Sequence, residues 1–285
     1  MFECVANVAE GRRLDVIEEL SVAAGASLRD RHVDAIHNRS VFTLIDHEVA
    51  LAAGVRSLAD AALTRLDLRG HEGVHPRFGV LDVVPFVALD PRQANVARAL
   101  RDQTATWLAD TFDLPVFLYG ELDDGTTRTL PEVRRGAFTS LAPDRGPTSP
   151  DPRCGASAVG ERGVLVAWNL WLRDVTIEDA STIAASVRRP QVRALAFSMG
   201  DVVQVSCNLI APLEVGPSVV YDEVVAKLHG GSIDHAELVG LIPQAVLETQ
   251  DPSRWGQLGL SQSATIETRL ASAGLRSTLD GPSPT

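Results

Sequence analysis

The stretch GVLVAWNLWL (residues 163–172) predicts a β-strand, and it begins a second series of elements that repeats the order of the first half of the chain. The apolar spacing after it predicts helix 176–188, strand 192–199, strand 202–211, helix 217–229 and strand 236–242. This β-α-β-β-α-β order is the split βαβ, or ferredoxin-like, order.

The first half of the chain gives the same order. Its periodicity predicts strand 2–8, helix 11–26, strands 27–36 and 40–46, helix 47–66 and strand 80–89, with a further helix at 91–112 and strand at 115–122. Residues 123–162 are rich in Gly, Pro, Asp and Thr and predict a long functional or connecting loop.

We therefore expect an α+β protein built from two tandem ferredoxin-like (βαββαβ) subdomains. They would span residues 1–162 and 163–272, and residues 273–285 would form a disordered tail. Each subdomain would be an open sheet with helices on one face, so that the two free faces can border a shared cleft.

The composition indicates a globular protein and bears on its partners and its location. A hydrophobic fraction of 45% with 22% charged residues is typical of a globular chain, and no run of about 18 apolar residues predicts a membrane span. A net charge of −11 argues against a nucleic-acid partner. Three cysteines and no secretory pattern at the N-terminus favour a reducing, cytoplasmic location.

The segment GHEGVHPRFG (70–79) contains H-E-x-x-H, the pattern of a zinc metalloprotease helix. Such a site needs His71 and His75 on one helical face, one turn apart. Gly73 weakens a helix here and Pro76 biases His75 away from helical geometry, so the segment predicts a loop and no metal site. On composition alone, an exposed turn histidine is the simplest interpretation.

The residues around this segment favour a different interpretation. GHEGVHPRFGVLDVVPF (70–86) resembles the G-E-H-P-R-M-G-A-x-D-V-x-P-F segment of glutamate formimidoyltransferases, a module that also forms the N-terminal part of formimidoyltransferase-cyclodeaminase in animals. Further segments resemble the family in the same order: ECVANVAEG (3–11), DAIHNRSVFTL (34–44), VFLYGE (116–121), GPTSPDPRCGASAVGER (146–162), QVSCN (204–208) and ELVGLIP (237–243). The resemblance covers residues 2–248 or thereabouts.

The resemblance implies a fold, an assembly and a reaction. The two subdomains would face one another across a substrate tunnel, and the protein would be a homodimer of chains that binds small molecules, a folate and an amino acid. The reaction would move a formimidoyl group between N-formimidoyl-L-glutamate and tetrahydrofolate, the co-substrate, in histidine degradation.

The resemblance also implies site residues. His75 matches the family's catalytic histidine, and an imidazole can accept and donate a proton near neutrality. Asp34 matches its active-site aspartate, which would stabilise developing positive charge. His37, Asn38, Arg39 and Arg77 would bind substrate; turn stabilisation is an equally good interpretation of Asn38. Asp82 would orient an imidazole or cap the loop.

The folate-binding stretch of the family corresponds to residues 146–162. Its candidate folate-binding residues are Gly146, Pro147, Thr148, Ser149, Pro152 and Gly155. Glycine permits close approach of the backbone to a flat pteridine, and the two hydroxyls can form hydrogen bonds with it. The alternative is an ordinary Gly/Pro surface loop.

Three departures bear on the substrate. Val74 stands where the family has glutamate, Trp171 replaces the second asparagine of an N-x-N-L strand, and residues 186–195 are too short for a glycine-rich loop. Two alternatives therefore stay open. One is a paralogue that transfers a formimidoyl or formyl group to or from a different amine, and the other is a folate-binding protein that has lost catalysis.

Overall fold

The computed structural model describes residues 1–74 and 76–275, which form two compact units. The first unit comprises Met1–Gly163 and the second begins at Val164. Each contains a sheet covered by helices, which confirms the α+β class. Of the predicted tail, residues 276–285 lie outside the described residues.

The sheet of the first unit is mixed. Its strands are β1 (Phe2–Val8), β2 (Leu28–Asp34), β3 (Arg39–Asp46), β4 (Leu81–Ala88), β5 (Val116–Glu121), β6 (Thr127–Arg128) and β7 (Ser157–Glu161). They lie in the order β2-β3-β1-β4-β7-β5-β6. β7 runs parallel to both of its neighbours, and the other neighbouring strands are antiparallel.

Three helices cover one face of this sheet: α1 (Leu14–Ala24), α2 (Glu48–Arg65) and α3 (Ala94–Phe112). The short helix α4 (Leu130–Gly136) packs on the other face, where Val133 joins a buried cluster with Val83 and Phe117. Alternate residues of β1, such as Cys4 and Ala6, join the same buried cluster as Leu51 and Leu58 of α2. Because side chains alternate along a strand, Glu3 and Asn7 point to the other face.

The predicted loop over residues 123–162 is wrong, because this segment contains α4, β6 and β7. β7 was missed because Ser157–Gly160 is buried throughout, and a parallel strand buried on both faces does not alternate polar and apolar residues. The sequence did contain a signal for the start of α4. Thr129 and Glu132 form a capping box around Pro131, a pattern that marks a helix start.

The second unit has a purely antiparallel sheet. Its strands are β8 (Val166–Arg173), β9 (Val192–Ser198), β10 (Val203–Leu209) and β11 (Ser232–Val239), in the order β11-β8-β10-β9. Its helices are α5 (Ile177–Val187), α6 (Pro217–Val225), α7 (Gln244–Glu248) and α8 (Ile266–Ser272). Trp168 is fully buried in the core, and its Nε1 donates to the carbonyl oxygen of Leu258 at 2.8 Å.

The edge strand β11 begins at Ser232, earlier than the predicted start at Ala236. A β-bulge between Ile233 and His235 interrupts the alternation and adds Asp234 as an extra residue. The polar composition of this segment therefore hid a strand. No helix in the described ranges is long and apolar enough to cross a membrane.

Glu3 makes the stability of the fold depend on pH. Its side chain is buried, and burial raises its pKa to about 7, with Arg162 acting in the opposite direction. The folded state therefore holds this proton more tightly than the unfolded state, so stability is lost as pH rises between the unfolded value, 4.5, and about 7.

We expect Glu3→Gln to be more stable than the wild type at pH 8 by about 3 kcal/mol, and nearly equal to it at pH 4.5. Urea denaturation at both pH values measures this, with the exposed Glu48→Gln as a matched control that should show no such pH dependence. A gain at pH 8 no larger than that of the control would contradict the expectation.

Candidate active site

The turn between β2 and β3 is built by two polar side chains. Asp34 Oδ1 accepts hydrogen bonds from the backbone N–H groups of Ile36 and His37, at 2.8 and 2.7 Å. Asn38 has a φ of 49°, the left-handed region that asparagine tolerates better than most residues. The sequence therefore fixes this turn locally, through the aspartate and asparagine that begin and end it.

Asn38 also joins two distant segments. Its Oδ1 accepts from the backbone N–H of Gly11 at 2.9 Å, and its Nδ2 donates to the carbonyl oxygen of Glu72 at 2.8 Å. The carbonyl oxygen of Asn38 contacts His71 Nε2 at 2.9 Å. A single buried side chain thus connects the opening motif with the loop 70–79.

The first part of loop 70–79 is irregular and not helical, so it lacks the helix that H-E-x-x-H chemistry uses. Burial, and then the charge of Arg77, lower the pKa of His71, so its ring is neutral near pH 7 and donates from Nε2 to Asn38. Arg77 donates to the carbonyl oxygens of His71 and of Gly73, the latter at 3.3 Å. His71 therefore has a structural role, because its ring contacts Asn38 and its carbonyl oxygen accepts from Arg77.

The second part of the loop is held by Asp82 and Arg134. Asp82 is 2% exposed, and it accepts from the backbone N–H of Phe78 at 2.9 Å and from Arg134 at 2.6 Å. Arg134 also donates to the carbonyl oxygen of Pro76 at 3.3 Å, and its guanidinium lies 5.6 Å from the centre of the Phe78 ring. Residues on both sides of position 75 are thus anchored.

The glycines explain how this loop meets the predicted folate stretch. A Cβ at Gly79 would overlap the carbonyl oxygen of Ala156, and one at Gly155 would overlap that of Phe78. Gly155 lies against loop 70–79, whereas Gly146 packs against Leu114. The intervening candidates Thr148, Ser149 and Pro152 are exposed, and Pro147 is half-buried.

The structure brings the predicted substrate-binding residues together. They line one small cavity of about 10 Å³, whose walls are Val8, Ala9, His37, Asn38, Arg39, Arg77 and Asp82. This volume matches a single water molecule, so the cavity itself cannot hold a substrate. We call the residues that line it the floor of the candidate site.

Three predicted site residues need a separate account: Asp34, Arg39 and His75. Asp34 Oδ2 lies 3.8 Å from His37 Nε2, which places Asp34 beside this floor. Loss of hydration lowers the pKa of Arg39 to about 10, so it remains a cation at neutral pH, and it donates to Asn7 Oδ1. Of the two predicted catalytic residues, Asp34 and His75, the second lies outside the described residues. Its role stays a prediction.

Two positioning residues were missed or undervalued from the sequence. Arg134 was missed because it lies in the segment that predicted a loop, although the capping box before it signalled a helix. Asn38 was assigned to substrate or to its own turn, and its bonds to Gly11 and Glu72 have no signature in the sequence. The described ranges contain no group of three or more His, Cys, Asp or Glu side chains arranged to hold a metal ion.

Removing the guanidinium of Arg134 should disturb this loop. We expect Arg134→Ala to lower the free energy of unfolding by about 2 kcal/mol, because the buried Asp82 would lose its ion-paired hydrogen-bond donor. The partial exposure of Arg134 and the nearby charges of Arg39 and Arg77 keep the effect below that of an isolated buried pair. Chemical denaturation measures the loss. The matched control is Arg135→Ala, the exposed neighbour on α4, and equal effects of the two variants would refute the role of Arg134.

Comparison with known proteins agrees with the motifs of this site. Residues 1–162 match the family model described as the formiminotransferase domain, N-terminal subdomain. The chain is 31% identical over 271 residues to a glutamate formimidoyltransferase of Streptococcus pyogenes serotype M1, covering 86% of this chain and 90% of that protein. It is 32% identical over 274 residues to one of Thermoplasma acidophilum, covering 87% and 89%.

Longer relatives match over part of their length. The chain is 30% identical over 276 residues to the formimidoyltransferase-cyclodeaminase of Rattus norvegicus, and it spans about half of that protein, 51%. The family-model match covers more than half of this chain, and the bacterial and archaeal relatives match over most of theirs. The chain therefore belongs to the formimidoyltransferase family.

Proposed function

We propose that this protein is a tetrahydrofolate-dependent formimidoyltransferase that moves a formimidoyl group between N-formimidoyl-L-glutamate and tetrahydrofolate. The observation that carries the proposal is the convergence at Asn38. There the opening motif, the β2–β3 turn and loop 70–79 meet through buried hydrogen bonds. Three segments that share the family's motifs thus form one polar floor.

The reaction requires proton transfer at two nitrogens. The amine of tetrahydrofolate attacks the amidine carbon and gives a tetrahedral intermediate, after which the bond from that carbon to the glutamate nitrogen breaks. His75 would take the proton from the attacking nitrogen and return it to the departing nitrogen, so it ends in its starting form. Asp34 would stabilise the positive charge that develops between these two events.

The charges of the floor suit carboxylate substrates. Both proposed substrates are anionic, and the chain as a whole carries −11. Arg39 and Arg77 both line the floor, and we infer that the substrate carboxylates bind beside it and not in its small cavity, because guanidinium forks bind carboxylates well. His37 and Asn38 would add hydrogen bonds to this binding surface.

For the folate, we infer a site that begins where residues 152–155 meet loop 70–79. Gly155 allows the two backbones to touch, and exposed Thr148 and Ser149 offer hydroxyls to a pteridine. The histidine-degradation role follows from the proposed substrates, and the cytoplasmic location and the homodimer stay predictions.

We also infer that each unit is a ferredoxin-like βαββαβ subdomain. The strand orders β2-β3-β1-β4 and β11-β8-β10-β9 support this, since each has the first and third strands at the centre. In the first unit, β7, β5 and β6 extend that arrangement. The tunnel between subdomains implied by the resemblance stays a prediction.

A second candidate is a paralogue acting on a different amine. Val74 favours it, because an exposed apolar side chain stands next to position 75 where the family carries a carboxylate. The N-formimidoyl derivatives of aspartate, glycine and glutamate, each assayed with tetrahydrofolate, separate the two. Highest kcat/KM with the glutamate donor supports the first proposal, and highest kcat/KM with another donor supports the paralogue. Tetrahydrofolate binding without turnover of any donor would support a non-catalytic folate-binding protein.

A further inference from the structure

The segment that follows β1 packs directly against the β2–β3 turn. A Cβ at Gly11 would overlap the carbonyl oxygen of Asp34, so glycine allows this close approach. Glu10 is 3% exposed, and its Oε1 accepts hydrogen bonds from the backbone N–H groups of Arg12 and Arg13, both at 2.9 Å. The backbone of Arg12 is therefore fixed beside the turn that carries Asp34.

The side chain of Arg12 is exposed and lies on this turn. Its Nε donates to the carbonyl oxygen of Ala35, the residue after Asp34, at 2.9 Å. Among the residues that the structure describes, none forms a hydrogen bond or an ion pair with the two terminal nitrogens of Arg12. One nitrogen thus holds the guanidinium in place, and the other two can bind a ligand.

Arg12 adds positive charge beside the floor, which already contains Arg39 and Arg77. Burial lowers the pKa of Arg77; Asp82 acts in the opposite direction, and the charge of Arg12 lowers that pKa further. Arg12 and Arg77 therefore repel each other, and a bound anion would offset this repulsion. In a chain with a net charge of −11, such a local group of arginines favours an anionic ligand.

We propose that Arg12 binds one carboxylate of the donor and makes the enzyme selective for a dicarboxylic donor. This inference rests on the proposed function, because it concerns the same substrate. N-formimidoyl-L-glutamate has two carboxylates. The half-buried Arg39 and Arg77 bind one of them, and the exposed Arg12 binds the other through its terminal nitrogens. Arg12 is thus a specificity-determining residue and takes no part in proton transfer.

Calorimetric titration of the full chain without tetrahydrofolate tests this contact, because it measures donor binding in the absence of turnover. The probes are N-formimidoyl-L-glutamate and its two monoamides, in which either the side-chain carboxylate or the α-carboxylate is replaced by a neutral carboxamide. We expect Arg12→Gln to weaken binding of the glutamate donor by about tenfold, the effect of one charge-assisted hydrogen bond. It should leave unchanged the binding of the one monoamide that lacks the carboxylate held by Arg12.

Two further variants separate a direct contact from a structural role. Arg12→Lys keeps the charge without the planar fork, so it should restore part of the affinity lost in Arg12→Gln. Arg31→Gln removes one positive charge from an exposed residue of β2 that pairs with Glu18 at 2.7 Å, and it should bind all three donors like the wild type.

Wild-type affinity in Arg12→Gln, equal weakening for all three donors, or no donor binding by the wild type would overturn the inference. In the transfer assay, Arg12→Gln should raise KM for the glutamate donor with little change in kcat. A wild type that binds the glutamate donor but does not transfer its formimidoyl group would contradict the proposed function and leave the carboxylate contact in place.

Discussion

His75→Ala is expected to lower kcat for formimidoyl transfer by about 10²- to 10⁴-fold, the usual contribution of a positioned general acid and base. The loss follows because neither nitrogen would then exchange its proton with a group held in place. Histidine is the residue type suited to this role, since an unperturbed imidazole titrates near neutrality. Steady-state kinetics with N-formimidoyl-L-glutamate and tetrahydrofolate measure the effect.

His71→Ala is the matched control for this variant. His71 belongs to the same loop, but its ring donates to the Asn38 carbonyl oxygen and serves to hold the backbone. We expect it to lower kcat less than about tenfold, with a loss of stability of about 1 kcal/mol for the missing hydrogen bond. The catalytic assignment fails if His75→Ala keeps the wild-type rate, or if His71→Ala loses as much.

Asn38→Ala is expected to destabilise the fold by about 4 kcal/mol. The substitution leaves the N–H of Gly11 and the carbonyl oxygen of Glu72 without their buried partner, at about 1–3 kcal/mol each. It also replaces asparagine by alanine, which tolerates a φ of 49° less well because it lacks a side chain that can form local hydrogen bonds, at a further cost of about 1 kcal/mol. Urea denaturation gives the free energy of unfolding. The transfer assay shows whether the variant keeps its activity.

Asn38→Gly separates the two causes. Glycine adopts a positive φ without strain, so this variant loses the hydrogen bonds alone and should be about 1 kcal/mol more stable than Asn38→Ala. We expect both variants to lose most of the transfer activity at a temperature where each is folded. If Asn38→Ala lay within 0.5 kcal/mol or so of wild type and kept full activity, the convergence at Asn38 would not be what organises the site.

Apolar composition predicted the bounds of β1. This strand begins at Phe2 and ends at Val8, as predicted, and its Cys4 and Ala6 pack on helices. β7 was not predicted, because its sequence SAVGE has neither a run of large apolar residues nor an alternation of polar and apolar ones. The predicted start of β11 was wrong because a β-bulge interrupts the alternation of side chains near its beginning, and a bulge has no signature in composition.

The candidate site was predictable where its residues lie in contiguous motifs. His37, Asn38 and Arg39 were chosen from the turn and Arg77 from the loop, and the structure places all four around one cavity. The role of Arg134 was not predictable, because its contact with Asp82 exists only once α4 has packed beside loop 70–79. Pairings across 52 positions of sequence leave no local pattern.

The most direct test of the proposed function is a single-turnover measurement of both products. Wild-type protein in excess is mixed with N-formimidoyl-L-glutamate and tetrahydrofolate, quenched at intervals and analysed by mass spectrometry. Our account predicts that glutamate and 5-formimidoyl-tetrahydrofolate appear together in equal amounts, and that neither forms when tetrahydrofolate is omitted. Glutamate released without the folate product, or no reaction in the presence of both substrates, would contradict it.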